Sequence, residues 1–315
     1  MTSTAEANFS PDLPLNLVSV QQLILEADDG RDEISDKIDS IVFQKRPERE
    51  SNYQHNLAKA PISKDALRYN MRHSKRGKAI IFNNKDFSPA LSLRPRNGTD
   101  VDRDKLFLKL RELDFDVYCY NDLTLGEIEV VLKALSKEDH TERDTLMITV
   151  LSHGEAGILF AKDTCYKPEI LWSSFTADRC PTLAGKPKLF FIQACQGDRL
   201  DSGTLLTLRG NTETDSGSFS YKIPSHADFL ICYSTIPGFF SWRNTTNGSW
   251  FVQALCRVLG ERYRDTHLLD MMTIVNQIVA FDYESNCPGD AIMHQKKQIP
   301  CITSLLTRQV FFEPK

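Results

Sequence analysis

Two apolar runs each end on a reactive side chain beside glycine: Thr149-Val-Leu-Ser-His153-Gly154 and Phe191-Ile-Gln-Ala-Cys195-Gln-Gly197. A cysteine nucleophile needs a partly exposed thiolate, a base within reach, and donors for the oxyanion that develops on the substrate carbonyl. A Cys and a His at neighbouring strand ends can meet although they lie far apart in sequence. Gly154 and Gly197 let a substrate backbone approach closely, where a side chain would crowd it. On this arrangement the amides of Gly154 and Cys195 are candidate oxyanion donors. Taken singly, a buried Cys is usually structural, and a lone His is usually a core or surface residue. What lifts the pair above that prior is the string of residues around each, together with the elements that would hold them.

Those elements begin at Gly77. Lys78-Ala-Ile-Ile-Phe reads as a buried strand stopped by Asn83-Asn84. Asp100 is placed to cap a helix over 101–113, with Val101, Leu106, Leu110 and Leu113 near one face. Strand-like runs follow at 115–120, 145–151, 188–194 and 227–234, and helical ones at 124–135, 250–259 and 268–281. Strands alternating with helices predict an α/β fold with a mostly parallel sheet covered on both faces. In such sheets the site lies at the carboxyl ends of the strands, which is where His153 and Cys195 stand.

Bulk properties narrow the class. A formal net charge of -4 gives no basic footprint for nucleic acid. No apolar run approaches the roughly 20 residues needed to cross a bilayer. The first thirty residues carry acids instead of a secretory signal, so a cytoplasmic protein is expected. Cys119, Cys165, Cys180, Cys195, Cys232, Cys256, Cys287 and Cys301 are scattered, with no C-x-x-C pair to suggest a metal site or redox dithiol. Residues 1 to about 71 are polar and lack periodicity, and are expected to be disordered. The stretch between Gly197 and Tyr221, rich in Asp, Gly, Ser and Thr, reads as an exposed loop open to proteolysis.

Gln193-Ala-Cys195-Gln-Gly197, with a histidine upstream in Ser152-His153-Gly154, resembles the signature of the caspases. Three further strings match in the family's order: Arg96-Asn-Gly-Thr-Asp100, Lys186-Pro-Lys-Leu-Phe-Phe-Ile-Gln-Ala-Cys195, and Tyr233-Ser-Thr-Ile-Pro-Gly-Phe-Phe-Ser-Trp242-Arg243. The resemblance runs from about Arg72 to the C-terminus. It implies a three-layer sandwich around a mostly parallel six-stranded sheet, and a cysteine endopeptidase cutting after aspartate without metal or cofactor. Cys195 would be the nucleophile, His153 its acid–base partner, and the Arg94 carbonyl the group that orients the histidine.

The same resemblance places Arg96, Gln193, Ser241 and Arg243 around the substrate aspartate. Independently of the name, two guanidiniums and an amide suit one carboxylate. Phe240 and Trp242 would line a cleft for the preceding side chain, and Asn244 and Trp250 would meet the fourth residue, favouring a second aspartate. Thr212-Glu-Thr-Asp215 before Ser216 reads as the activating cut, dividing a large subunit (40–215, folded from about 72) from a small one (216–315). Asp198-Arg-Leu-Asp201 is a lesser candidate. Asp36-Lys-Ile-Asp39 before Ser40 would release the short arm, 1–39.

The implied partners are protein substrates, an upstream initiator, and a second protomer joined through a strand near Ile299 to Thr307. Inhibitor-of-apoptosis proteins are a further candidate, grasping Ser40-Ile-Val-Phe43. The reading is an executioner caspase zymogen of programmed cell death. An initiator-like caspase and an inactive caspase-binding decoy are the rivals. The arm is short for an adaptor domain, and both members of the dyad are present.

Overall fold

The computed structural model describes residues 60–203 and 224–315. Six strands form the central sheet: β1 (Lys78–Asn83), β2 (Asp116–Asn121), β3 (Leu146–Leu151), β7 (Lys188–Gln193), β8 (Phe229–Tyr233) and β11 (Cys301–Ser304). Their spatial order is β11-β8-β7-β3-β1-β2. The first five in chain order run parallel, and β11 joins antiparallel at one edge. Short hairpin strands β4 (Gly154–Glu155), β5 (Ile158–Phe160) and β6 (Cys165–Tyr166) follow β3, and β9 (Arg243–Asn244) pairs with β10 (Gly248–Ser249).

Both β3 and β7 are buried along their whole length, as strands covered on two faces must be. Alternate residues serve alternate layers. Met147, Leu151, Leu189 and Phe191 pack with helices α1 (Thr99–Glu112), α3 (Trp250–Arg262) and α4 (Leu268–Asp282). Ile148, Val150, Phe190 and Ile192 face α2 (Leu125–Lys137) and the short helical turns at Pro168–Leu171 and Ser173–Phe175. Thr124 opens α2 with a capping box, its hydroxyl taking the Glu127 amide while the Glu127 carboxylate takes the Thr124 amide. The three-layer α/β architecture is the one expected.

Three expectations need correction. Asp100 does not cap α1. The helix starts at Thr99 behind Gly98, whose φ of +86° and close approach to the Thr245 carbonyl suit only glycine. Asp100 instead holds Lys85 at 2.7 Å and Arg103 at 3.1 Å. The stretch expected to be disordered up to about residue 71 ends sooner, because Tyr69 and Met71 are buried against the C-terminal segment. Isolated apolar residues have no period to read; they are recruited by a partner distant in sequence. The last strand is also shorter than 299–307, spanning Cys301–Ser304.

Tyr69 ties the start of the domain to its end. Its hydroxyl donates to the buried carboxylate of Asp228 at 2.8 Å and accepts the Thr307 amide at 2.9 Å. Burial, then the Asp228 charge, push the phenol well above its ordinary range. Tyr69→Phe removes a hydrogen bond to a charged acceptor and should lower the unfolding free energy by about 1.5–3 kcal/mol. Urea unfolding in a Cys195→Ala background measures this, and an unchanged midpoint would count against the tie.

Candidate active site

β3 and β7 lie side by side with Leu151 opposite Gln193. The ladder continues one step, the Ser152 amide donating to the Gln193 carbonyl at 3.1 Å. His153 and Cys195 each stand two residues past that register pair, so they leave the sheet together at its carboxyl edge. Both line one open cleft of about 520 Å³, with Leu93, Gly154, Asp198 and Phe240 among its walls. Gly154 fits because a Cβ there would lie 2.5 Å from the Cys195 carbonyl oxygen, forcing the two turns apart.

His153 Nε2 lies 2.8 Å from the Arg94 carbonyl oxygen. A carbonyl only accepts, so Nε2 carries the proton and Nδ1 keeps the basic lone pair. Phe87 packs on the ring at 5.0 Å. Burial lowers the affinity of His153 for a second proton. The Arg94 bond partly restores it, and Arg96 and Arg243 lower it further. Cys195 is half-buried. Burial pushes its thiol up, opposed by its backbone contact with Ser241 and by the two arginines. The Ser241 amide donates to Sγ at 3.4 Å. Both shifts favour the neutral forms, thiol and imidazole, in the substrate-free site.

Arg96 is wholly buried in the loop before α1. Its Nη1 donates to the Asn84 carbonyl at 2.9 Å and to Thr99 Oγ1 at 2.7 Å. The opposite edge, Nε and Nη2, is buried without a hydrogen-bond partner among the described residues. Burial, then the charge of Arg243, pull Arg96 down to about 9, which leaves it cationic at neutral pH. Arg243 on β9 donates from Nε to the Asn97 carbonyl at 3.0 Å. Gln193 donates from Nε2 to Ser241 Oγ at 2.8 Å, Ser241 to Ser234 at 2.8 Å, and Ser234 to the Ala194 carbonyl at 3.0 Å. Gln193 Oε1 is buried and has no partner among the described residues. A half-turn of that amide would offer Nε2 instead, with Oε1 accepting from Ser241. An open guanidinium edge, a second guanidinium and an amide form the donor set for one planar carboxylate.

Phe240, in the cleft wall, begins a chain of aromatic rings. Phe240 lies 5.3 Å from Trp242, Trp242 stacks on Trp250 at 5.6 Å, and Trp250 stacks on Tyr283 at 5.4 Å. The sequence offered no signal for Tyr283, which sits just past the end of α4. Asn244 spends its Oδ1 inside its own turn, accepting the amides of Thr246 and Asn247. That leaves its NH2 group as the end able to face a ligand.

The segment after Cys195 is pinned to the 237–240 loop. Gln196 and Phe239, Gly238 and Gln196, and Phe240 and Arg199 exchange main-chain hydrogen bonds, and the Arg199 guanidinium covers the Phe239 ring at 4.7 Å. Asp201 accepts the Lys297 amide at 2.9 Å, so this lesser candidate for cleavage has its carbonyl engaged. Asp215, Ser216, Asp39 and Ser40 lie outside the described residues.

A neutral dyad has a kinetic signature. In substrate-free enzyme, alkylation of Cys195 by iodoacetamide should keep climbing with pH beyond the ordinary thiol value of about 8.5. A plateau between pH 6 and 8 would mean a preformed ion pair instead.

The caspase-domain family model matches residues 76–311. The chain is 54% identical over 266 residues to caspase-1 of Spodoptera frugiperda, covering 84% of this chain and 88% of that one. It is 51% identical over 266 residues to caspase drICE of Drosophila melanogaster, covering 84% and 78%. Against caspase-3 of Bos taurus the identity is 45% over 248 residues, covering 78% and 87%. The crystal structure of the Spodoptera caspase-1 matches with a TM-score of 0.76 at 53% identity, over 82% of this chain and 98% of that chain. The chain belongs to the caspase family, the cysteine endopeptidases that cut after aspartate, and is of its executioner type.

Proposed function

We propose that Cys195 is the nucleophile and His153 the general base and acid of this protease. Nδ1 of His153 takes the thiol proton as Sγ attacks the scissile carbonyl, with Arg94 holding Nε2–H throughout. The amides of Gly154 and Cys195 hold the tetrahedral oxyanion. The imidazolium then protonates the leaving amine, giving a thioester that water, activated by the same nitrogen, hydrolyses. The neutral pair at rest supports this order of events, since a neutral imidazole can accept the proton at the moment of attack.

One observation carries the specificity. Arg96 is buried, tied along one edge and open along the other, which is half of a bidentate carboxylate site. Arg243, Gln193 and Ser241 complete the pocket for the residue before the cut. Phe240 and Trp242 receive the side chain upstream of it. The Asn244 amide and Trp250 meet the fourth residue, where a second aspartate supplies the acceptor that Asn244 lacks. The preference is for Asp-x-x-Asp.

The protein is made as a zymogen and becomes active when an upstream initiator cuts between Asp215 and Ser216, leaving large and small subunits associated. The arm is removed between Asp39 and Ser40, and Ser40-Ile-Val-Phe43 is the segment an inhibitor-of-apoptosis protein would grasp. Cleaved protomers pair through β11, an edge strand that is partly exposed along its length. All eight cysteines are free, in keeping with action in the reducing cytoplasm.

A fluorogenic tetrapeptide with Asp at both ends should be cleaved by the cut protein and not by its Cys195→Ala variant. The Asn-terminated twin should fall several hundred- to several thousand-fold in kcat/KM, because it leaves a buried arginine unpaired at a cost of about 3–5 kcal/mol. Equal rates on the two peptides would remove Arg96 and Arg243 from the pocket.

A further inference from the structure

One buried carboxylate beside the pocket has no part in the chemistry described so far. Asp102, in the first turns of α1, is completely buried. Its Oδ1 accepts the Ser249 amide at 2.7 Å and its Oδ2 accepts the Ser249 hydroxyl at 2.6 Å. Both oxygens act as acceptors, the pattern of an ionised carboxylate. Ser249 ends the β9–β10 hairpin, and Arg243 begins it. The hairpin sits hard against the acid, since a Cβ on Gly248 would lie 2.3 Å from Asp102 Oδ1.

The neighbouring ties converge on the same few residues. Arg96 donates to Thr99 in the first turn of α1, and Arg243 donates to the Asn97 carbonyl just before it. The charge of Arg243 disfavours that of Arg96, and Asp102 stabilises both, with Cys195 a lesser contributor at each and Asp122 at Arg96. A pocket built of two cations is costly to hold together before its anionic ligand arrives. A fixed anion behind it offsets that repulsion without occupying the ligand's place.

We propose that Asp102 is a positioning residue for aspartate recognition, a buried counter-charge that seats the Arg243 hairpin against the Arg96 loop. The inference rests on the pocket reading above and adds a residue that does not touch substrate. It also spans the activating cut, because Asp102 precedes Asp215 and Ser249 follows it.

Asp102→Asn keeps the shape and can still accept the Ser249 amide while donating to its hydroxyl, yet loses the charge. In cut enzyme its KM for the Asp-x-x-Asp peptide should rise about tenfold with kcat within threefold, per site titrated with an irreversible aspartyl inhibitor. Ser249→Ala, which keeps the charge and the amide bond, should raise KM about threefold at unchanged kcat, and it serves as the test if Asp102→Asn folds poorly. An unchanged or lower KM in either variant, or a fall in kcat alone, would overturn the role. Arg243→Ala separates the two readings. If it leaves KM for the Asp peptide unchanged, the pocket assignment itself fails; if it abolishes binding while Asp102→Asn is normal, only the role of Asp102 fails.

Discussion

The in-register pairing of β3 with β7 is the constraint from which the site follows. Leu151 opposite Gln193 fixes where both strands leave the sheet, and His153 and Cys195 are each two residues further on. Side chains alternate along a strand, so a slip of one residue would turn every core side chain to the other face and displace the thiol by about 3.3 Å. The two core layers prevent that slip, since Phe190 and Phe191 are both buried but in different layers. The catalytic geometry is thus held by apolar packing several residues away, and the polar turns beyond the strands need only direct it. Ser152 does so by donating to the Phe160 carbonyl, which folds the β4–β5 hairpin back beside the histidine.

Charge in this site is managed in two separate currents. Arg96 and Arg243 lower the proton affinity of His153 and of Cys195 together. Moving a proton from thiol to imidazole depends on the difference between the two, and the arginines shift both in the same direction. A substrate carboxylate that neutralises the arginines would raise both affinities together. Burial acts most strongly on both groups, and the Arg94 carbonyl on Nε2 and the Ser241 backbone on Sγ oppose it.

Legibility in the sequence followed the range of the forces. The sheet and the long helices could be read because continuous apolar runs such as Leu146–Leu151 and Lys188–Gln193 carry their own signal. The pocket residues were readable only as members of matched strings, since nothing local marks Arg96 as buried. Tyr69, Tyr283 and Asp102 escaped notice because each is defined by a partner far along the chain: Asp228, Trp250 and Ser249. Asp100 misled for the complementary reason. Its type suits a cap, but Gly98 two residues earlier already supplied the turn. The strands of two or three residues that carry Gly154 and Arg243 are too short for any alternation to show.

The placement of the proposed activating bond has a mechanical logic. A cut after Asp215 falls between β7 and β8, which are paired in parallel from Lys188 and Phe229 to Ile192 and Tyr233 near the sheet's centre. Phe190 and Phe229 also stack at 5.8 Å across that seam. Two pieces sharing a buried ladder and a core on both faces would not part when one exposed bond is broken. The bonds from Gln196 and Arg199 to the 237–240 loop keep the thiol's own turn in place whether or not that bond is cut. Cleavage can thus proceed without changing the register that sets the dyad.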